Sequence, residues 1–344
     1  MKWINDVVFA ILAAHVWGSL MLFVWLQAVK RLENKGYTRL LFYLLRAVIV
    51  AYLLPLGLGA VLIISEIIEV DARLFQTTPV MTMICQLLFI LWILGFFANF
   101  ESLQEKWDMT RHCFSDALPA SRERQLRFQE ICRQTKMRSG RVILCEKAGI
   151  RCGGITVGVI HPRIVLPEGK TDEFVERVTM IHELVHYTRK DIWFLTAAKV
   201  VEAIHWFNPW TRGLAAQMSQ WNEYACDWKV CNKYLRNIKS YLEVLYRVSM
   251  QGQEDKTDMY SSIGTQPMKL IGRMEKMINM KNAMKKPKIF GVLAAVAVSF
   301  TSAGSVLAST GILAGGYQAL YELTDVEEDE AGIQVLGDID VTAD

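Results

Sequence analysis

Four long apolar runs alternate with polar segments along the chain, at about residues 7–29, 40–64, 80–100 and 289–320. Three of them contain no charged residue. The second is interrupted only by Arg46, which lies close enough to one end for its guanidinium to reach the membrane surface. As a helix, each run is long enough to cross about 30 Å of hydrocarbon. The pattern predicts a mostly α-helical integral membrane protein with four transmembrane helices, of which three form a membrane domain over residues 1–100.

The segment between the third and fourth runs, residues 101–288, has a different pattern and is long enough for one soluble-type domain. Apolar positions at helical spacing predict helices over 121–136 and 171–187. Three short β-rich segments predict a small sheet beside the second of these helices, over residues 141–145, 155–160 and 163–167. One sheet edge could bind an extended peptide, or the strands could form a purely structural hairpin. The domain is therefore predicted to be α+β.

The charges between the apolar runs indicate the orientation of the chain. The connection near residues 30–39 and the segment at 281–288 are basic, whereas the connection at 66–78 and the tail at 321–344 are acidic. Because positive segments stay on the cytoplasmic side, we expect the N-terminus and the acidic tail outside and the 101–288 domain in the cytoplasm. The net charge of +3 reflects this asymmetry and gives no indication of direct nucleic-acid binding.

The segment His182-Glu183-Leu184-Val185-His186 contains the pattern HExxH. Residues four apart share one face of a helix, so His182 and His186 can present two imidazole nitrogens to one metal ion. Glu183 is placed to take a proton from an attacking water molecule. The pattern predicts a metal-dependent hydrolase with Glu183 as its catalytic residue.

A second pair with helical spacing, Glu223 and Asp227, follows downstream. A zinc site with two histidines needs a further protein ligand, which Glu223 can supply. Asp227 can then accept the spare N–H of a ligating histidine and fix its orientation. Cysteine is rejected as a ligand, because none of the seven cysteines forms a CxxC pair and those near Glu223, Cys226 and Cys231, are better explained as small buried residues.

Two further histidines have open interpretations. His15 lies within the first apolar run, where it is either a packed polar group or a functional residue. His205 precedes Pro209 and either assists the reaction or orients the turn there. Asn222, next to Glu223, is a further candidate for a supporting role.

The chain resembles the BlaR/MecR-type integral-membrane zinc metallopeptidases, the antirepressor family of bacteria. The resemblance rests on the four-run layout and on the segments 158–167, 182–191, 205–209 and 222–227. It implies a gluzincin-like metallopeptidase domain between the third and fourth spans of a multi-pass plasma-membrane protein. It also implies one Zn²⁺ per chain, with His182, His186 and Glu223 as ligands and Glu183 as general base. The implied substrate is a cytoplasmic transcriptional repressor, or the chain itself, in signal transduction; a homodimer is an open possibility.

One departure from that family concerns the end of the chain. The antibiotic sensors carry a penicillin-binding domain after the fourth span, and here only a short acidic tail follows. Beta-lactam sensing by this chain alone is therefore not expected. Two other functions stay open: a CAAX-type or membrane-protein-processing zinc protease, and a non-catalytic membrane signalling scaffold.

Overall fold

The computed structural model describes residues 2–54, 78–150, 153–169, 171–252 and 267–283, together with 312, 315–316 and 318–323. These residues are mostly helical. The helices are α1 (Lys2–Leu32), α2 (Thr38–Leu53), α3 (Pro79–Cys113), α4 (Arg122–Thr135), α5 (Glu173–Thr188), α6 (Asp191–Ile204), α7 (Leu214–Lys229), α8 (Ile238–Gly252) and α9 (Pro267–Ala283). The strands are β1 (Leu118–Pro119), β2 (Ile143–Lys147), β3 (Ile155–Val157) and β4 (Arg163–Pro167).

Two helices in the described part of the chain are long and apolar enough to cross a membrane. They are Trp3–Leu32 within α1 and Pro79–Cys113, which is α3, with mean hydropathies of 2.2 and 2.3. Apolar side chains of α3, among them Met83, Leu87 and Leu94, are more than half exposed, as expected of a lipid-facing surface. The second predicted run is described only as far as Leu54, and most of the fourth lies outside the described residues.

The first two helices share a hydrophobic core with the helices of the 101–288 segment. Buried residues of α1 and α2, such as Trp25 and Val48, belong to one cluster with Val201 of α6 and Met218 of α7. The indole of Trp25 also donates a hydrogen bond of 3.0 Å to the Leu41 carbonyl, which joins α1 to α2. Helix α2 is thus buried on the side that faces α6 and α7, and a movement of α2 must disturb their packing.

The sheet has the strand order β1-β2-β4-β3, with β2 and β4 parallel and the two outer pairs antiparallel. Three of these strands overlap the predicted segments, and β2 begins and ends two residues later than predicted. Strand β3 ends earlier than predicted, because Gly158 has a φ of +86° and begins a turn. A side chain at Gly158 would place its Cβ 2.4 Å from the His161 carbonyl oxygen, so this turn requires glycine. The two-residue strand β1 has no sequence signal.

Helix α5, which carries HExxH, is fixed at its start and along its length. The Asp172 side chain caps it by accepting from the Phe174 and Val175 amides at 3.0 Å each. The buried Arg124 of α4 donates to Glu176 at 3.0 Å. On the other side, a Cβ at Gly154 would lie 2.7 Å from the Thr179 side chain, so the backbone leading into β3 runs directly against α5. These contacts set the edge strand β3 beside the HExxH turns.

Candidate metal centre

His182, His186 and Glu223 converge between α5 and α7. The Nε2 atoms of the two histidines are 3.0 Å apart. Glu223 places Oε2 at 3.5 Å from His182 Nε2 and Oε1 at 3.4 Å from His186 Nε2. The convergence follows from local geometry, because each helix presents residues four apart on one face. The structure therefore brings the three predicted ligands together.

The donor atoms fit a metal ion. A tetrahedral zinc ion with bonds of 2.0–2.1 Å has ligand atoms about 3.3 Å apart. Here the two Nε2 atoms are 3.0 Å apart, and the two Glu223 oxygens lie 3.4 and 3.5 Å from one imidazole each. The Glu223 Oε2 atom is buried and forms no hydrogen bond. Its charge is balanced in part by Arg273, whose Nη2 lies 3.1 Å away, and a bound cation would add to that compensation. Two imidazoles and a carboxylate are a donor set that could hold a divalent cation.

The charges around the histidines stabilise positive charge. Burial opposes protonation of His182, but Cys226 and Glu223 outweigh it and raise the pKa of His182 to about 10. The pKa of His186 is likewise raised well above its usual value, against burial, by Cys226, Glu223 and Asp191. For Glu223, burial is outweighed by Arg273 and His186, which hold its pKa well below the usual range. A divalent cation meets the same electrostatic demand.

His182 is oriented by a chain of two hydrogen bonds. Its Nδ1 lies 2.9 Å from the Tyr241 hydroxyl, which in turn donates to Asp227 Oδ1 at 2.7 Å. The direct separation between Nδ1 and Asp227 Oδ1 is 3.7 Å. Asp227 thus occupies the predicted position, but Tyr241 of α8 stands between it and the ring. With the proton on Nδ1, the Nε2 lone pair is free to bind a metal.

His186 is oriented by a different carboxylate. Its Nδ1 lies 2.7 Å from Asp191 Oδ2, at the first residue of α6. The other oxygen of Asp191 is bonded to Arg46 of α2 and lies 3.3 Å from Arg189 Nε. The guanidinium of Arg46 is thus directed at a buried carboxylate of α6.

Arg273 of α9 contacts both carboxylates of α7, those of Asp227 and Glu223. Its Nε donates to Asp227 Oδ2 at 2.7 Å and its Nη2 to Asp227 Oδ1 at 2.6 Å. The same Nη2 lies 3.1 Å from Glu223 Oε2. Sequence reasoning missed Tyr241 and Arg273, which carry no local pattern. Asp191 could have been found, because it begins a helix five residues after His186.

Cys226 offers an alternative donor set that the structure makes less suitable. Its Sγ lies within 4.8 Å of donor atoms of both histidines and 3.6 Å from His182 Nδ1. That nitrogen is already engaged by Tyr241, and it points away from the Nε2 atom that faces Glu223. One cation cannot use both nitrogens of one imidazole. Cys226 is buried, as expected, but it also contacts a predicted ligand, which the sequence did not indicate.

Glu183 is buried beside the histidines and contacts the edge strand. The Thr156 hydroxyl of β3 donates to Glu183 Oε2 at 2.7 Å and lies 3.2 Å from the Glu183 carbonyl oxygen. This contact fixes the carboxylate on the side of α5 that faces β3. A general base needs such a fixed position within reach of the water from which it takes the proton.

The two supporting candidates lie in different places. Asn222 packs beside Asp191, with Nδ2 at 3.4 Å from the Asp191 carbonyl oxygen. His205 follows the opposite end of α6, about 20 Å along the helix from Asp191. Its Nε2 donates to the Tyr52 carbonyl at 3.0 Å, and its ring faces His15 at a centroid distance of 5.7 Å. The structure does not bring His205 to the metal centre.

Comparison with known proteins adds two findings. The family model described as BlaR1 peptidase M56 matches residues 47–278, a range that includes His182, Glu183, His186 and Glu223 and begins one residue after Arg46. The Regulatory protein BlaR1 of Bacillus licheniformis is 28% identical over an alignment of 168 residues that covers 45% of this chain. The matched part spans 27% of that relative, so the similarity covers only a fraction of its length.

Proposed function

Because the chain belongs to the BlaR1 peptidase M56 family, we propose that it is a zinc-dependent endopeptidase of the bacterial plasma membrane that acts in signal transduction. The observation that carries the proposal is the donor set itself. Two imidazole Nε2 atoms and one buried carboxylate face each other at 3.0–3.5 Å, with Glu183 beside them. Neutral imidazole and carboxylate ligands are typical of catalytic zinc sites.

His182, His186 and Glu223 hold the metal ion in this proposal. The chemistry that zinc would supply there is polarisation of the scissile carbonyl and activation of a water molecule. Glu183 accepts the proton of the attacking water and passes it to the leaving amine. Thr156 keeps the Glu183 carboxylate turned toward the reacting groups through its hydrogen bond of 2.7 Å. Asp191 and Tyr241 hold each imidazole with its Nε2 lone pair toward the ion.

The substrate binds beside β3. In the described part of the chain β3 pairs only with β4, so its other edge has no strand partner there, and in this proposal an extended peptide pairs with it. An added strand there would satisfy the free backbone groups of β3. The Thr156 contact places this edge next to the general base. A peptide in this position would present its backbone to the catalytic carboxylate.

In this proposal the chain has four spans, and the protease domain and its substrate lie in the cytoplasm. Residues 321–344 lie outside the cell. The contact that supports this placement joins Lys276 of α9 to Glu33, 2.6 Å apart, in the basic first connection. That connection is expected in the cytoplasm. We further propose that the substrate is a transcriptional repressor, or the chain itself as a first step. The relative's name, a regulatory protein, is in keeping with such a role.

The test compares protein N-termini from bacteria carrying the wild-type protein with those from bacteria carrying Glu183→Ala at equal expression. We expect N-termini present only with the wild type, in a cytoplasmic regulator or in residues 101–288 of the chain itself. Glu173→Ala, an exposed change on the same helix, is the matched control and should behave as wild type. Unchanged cleavage in Glu183→Ala would refute the assigned general base. Cross-linking of substrate to the apolar runs would instead favour the CAAX-type reading.

The ligand set has its own test, independent of any substrate. Purified Glu223→Ala should contain little zinc, because two histidines alone hold the ion weakly, whereas Glu183→Ala should keep it. Metal content by atomic emission distinguishes the two variants. Wild-type zinc content in Glu223→Ala would remove this residue from the ligand set.

A further inference from the structure

Arg46 is a charged residue of the apolar helix α2, and its side chain is largely buried. Its side chain is 12% exposed, and its guanidinium lies between the rings of Phe42 and Phe194, at 4.3 and 4.1 Å from their centroids. Nη1 donates to the Arg189 carbonyl at 3.0 Å, and Nη2 is bonded to Asp191 Oδ1. A buried charge requires such partners, and here both lie in the link between α5 and α6.

Asp191 divides its two oxygens between Arg46 and a metal ligand. Oδ1 is bonded to Arg46, and Oδ2 lies 2.7 Å from His186 Nδ1. The bond to Arg46 fixes the rotation of the carboxylate, so it also fixes the direction in which Oδ2 meets the imidazole. With Oδ1 held by Arg46, Oδ2 is directed at Nδ1 of His186, and Nε2 of the same ring faces Glu223.

Arg189 cannot replace Arg46 in this role. Its Nε lies 3.3 Å from the same oxygen, but Arg189 is two residues from Asp191 and moves with it. Arg46 is 145 residues away in sequence and belongs to α2. Of Arg46 and Arg189, only Arg46 links α2 through Asp191 to His186.

We propose that Arg46 is a positioning residue of the metal centre, which holds His186 through Asp191 and couples the second apolar helix to metal binding. A displacement of α2 relative to α6 breaks the bond between Arg46 and Asp191 and frees the carboxylate to rotate. The partner of an imidazole ligand typically contributes 10–100-fold to metal affinity. The inference rests on the proposed ligand set, and it adds a route by which an event in the membrane alters the site.

The test uses the full chain in detergent micelles, stripped of metal and titrated with Zn²⁺ against a chromophoric chelator. Arg46→Met should lower zinc affinity by up to about 10-fold, and Arg46→Lys, which keeps the charge but not the two N–H donors of the guanidinium, by less. The visible absorption spectrum of the Co²⁺-loaded protein should shift in Arg46→Met, because the geometry at His186 relaxes. Thermal unfolding identifies any variant that fails to fold, and Arg46→Lys then carries the test.

A double-mutant cycle separates positioning from general stability. In an Asp191→Asn background, Arg46→Met should have little further effect on zinc affinity, because the path to His186 is already broken. Arg124→Met, which removes another buried arginine from α4, should act equally in both backgrounds. An equal effect of Arg46→Met in both backgrounds, or no effect in the wild type, would overturn the coupling. If the wild type binds no zinc, or His186→Ala binds it normally, the proposed ligand set itself fails.

Discussion

Arg273 donates two hydrogen bonds to Asp227, from Nε to Oδ2 at 2.7 Å and from Nη2 to Oδ1 at 2.6 Å, and both side chains are almost completely buried. The pair joins α9 to α7 directly behind Glu223. Its Nη2 is also 3.1 Å from Glu223 Oε2, so one guanidinium compensates two carboxylates. The positions of Asp227 and Glu223 therefore depend on a helix that lies some 50 residues further along the chain.

Replacement of Arg273 tests this dependence. In the metal-free protein, Arg273→Met should lower the free energy of unfolding by about 3–5 kcal/mol, because it leaves a buried carboxylate unpaired. Lys276→Met on the same helix is the control, since its ion pair with Glu33 is partly exposed and should contribute at most about 1 kcal/mol. Denaturant unfolding of the purified protein measures both. Equal, small losses would contradict a structural role for the Arg273–Asp227 pair.

Tyr241→Phe removes the hydroxyl that stands between His182 Nδ1 and Asp227. We expect zinc affinity to fall by about 10-fold, because the imidazole loses the partner that fixes its tautomer. Tyr246→Phe is a matched control on the same helix, where the ring is 53% exposed. Competition with a chelator gives the affinities. If Tyr241→Phe binds zinc as tightly as the wild type, the direct approach of Asp227 at 3.7 Å is sufficient.

Thr156→Val keeps the shape of the β3 side chain and removes its hydrogen bond to Glu183. On the substrate identified by its new N-terminus, kcat should fall by about 5- to 10-fold with little change in KM or zinc content, as expected from the loss of about 1 kcal/mol. Thr156→Ser retains a hydroxyl and should restore most of the rate. Full activity of Thr156→Val would show that the carboxylate is positioned without this contact.

His205 predicts a dependence of stability on pH. Burial lowers the pKa of His205 to about 4 from the usual 6.5, although the bond to the Tyr52 carbonyl works against this. Above pH 6.5, His205 is neutral in both the folded and the unfolded chain. Between pH 6.5 and 4 the unfolded chain takes up a proton that the folded chain does not. The free energy of unfolding should therefore decrease as the pH is lowered from 6.5 to 4, by about 3 kcal/mol in total.

The measurement compares unfolding of the wild type with that of His205→Gln at pH 7 and pH 4.5. The variant should lose less stability on acidification, because the group that resists protonation is gone. His112→Gln, at an exposed position, should follow the wild type. An identical pH dependence in His205→Gln and wild type would exclude His205 as the source.

Much of the helical architecture was accessible from local patterns. The HExxH segment lies in α5 and Glu223 and Asp227 lie in α7, because spacing of four residues and an Asp172 cap act within one helix. The short strands were located by β-rich runs between glycine and proline. The described part of the second apolar run packs against α6 and α7. The sequence did not indicate this packing, because a lipid-facing helix and a buried helix have similar composition.

The sequence by itself determined which side chains could bind a metal, because the pairing of His182 with His186 and of Glu223 with Asp227 depends only on the helical repeat. The tertiary structure decided which partners orient those ligands. Arg46, Tyr241 and Arg273 reach the site from three separate helices, and Asp191 joins Arg46 to His186. Such contacts arise from the packing of whole helices against one another, and no local pattern in the sequence records them.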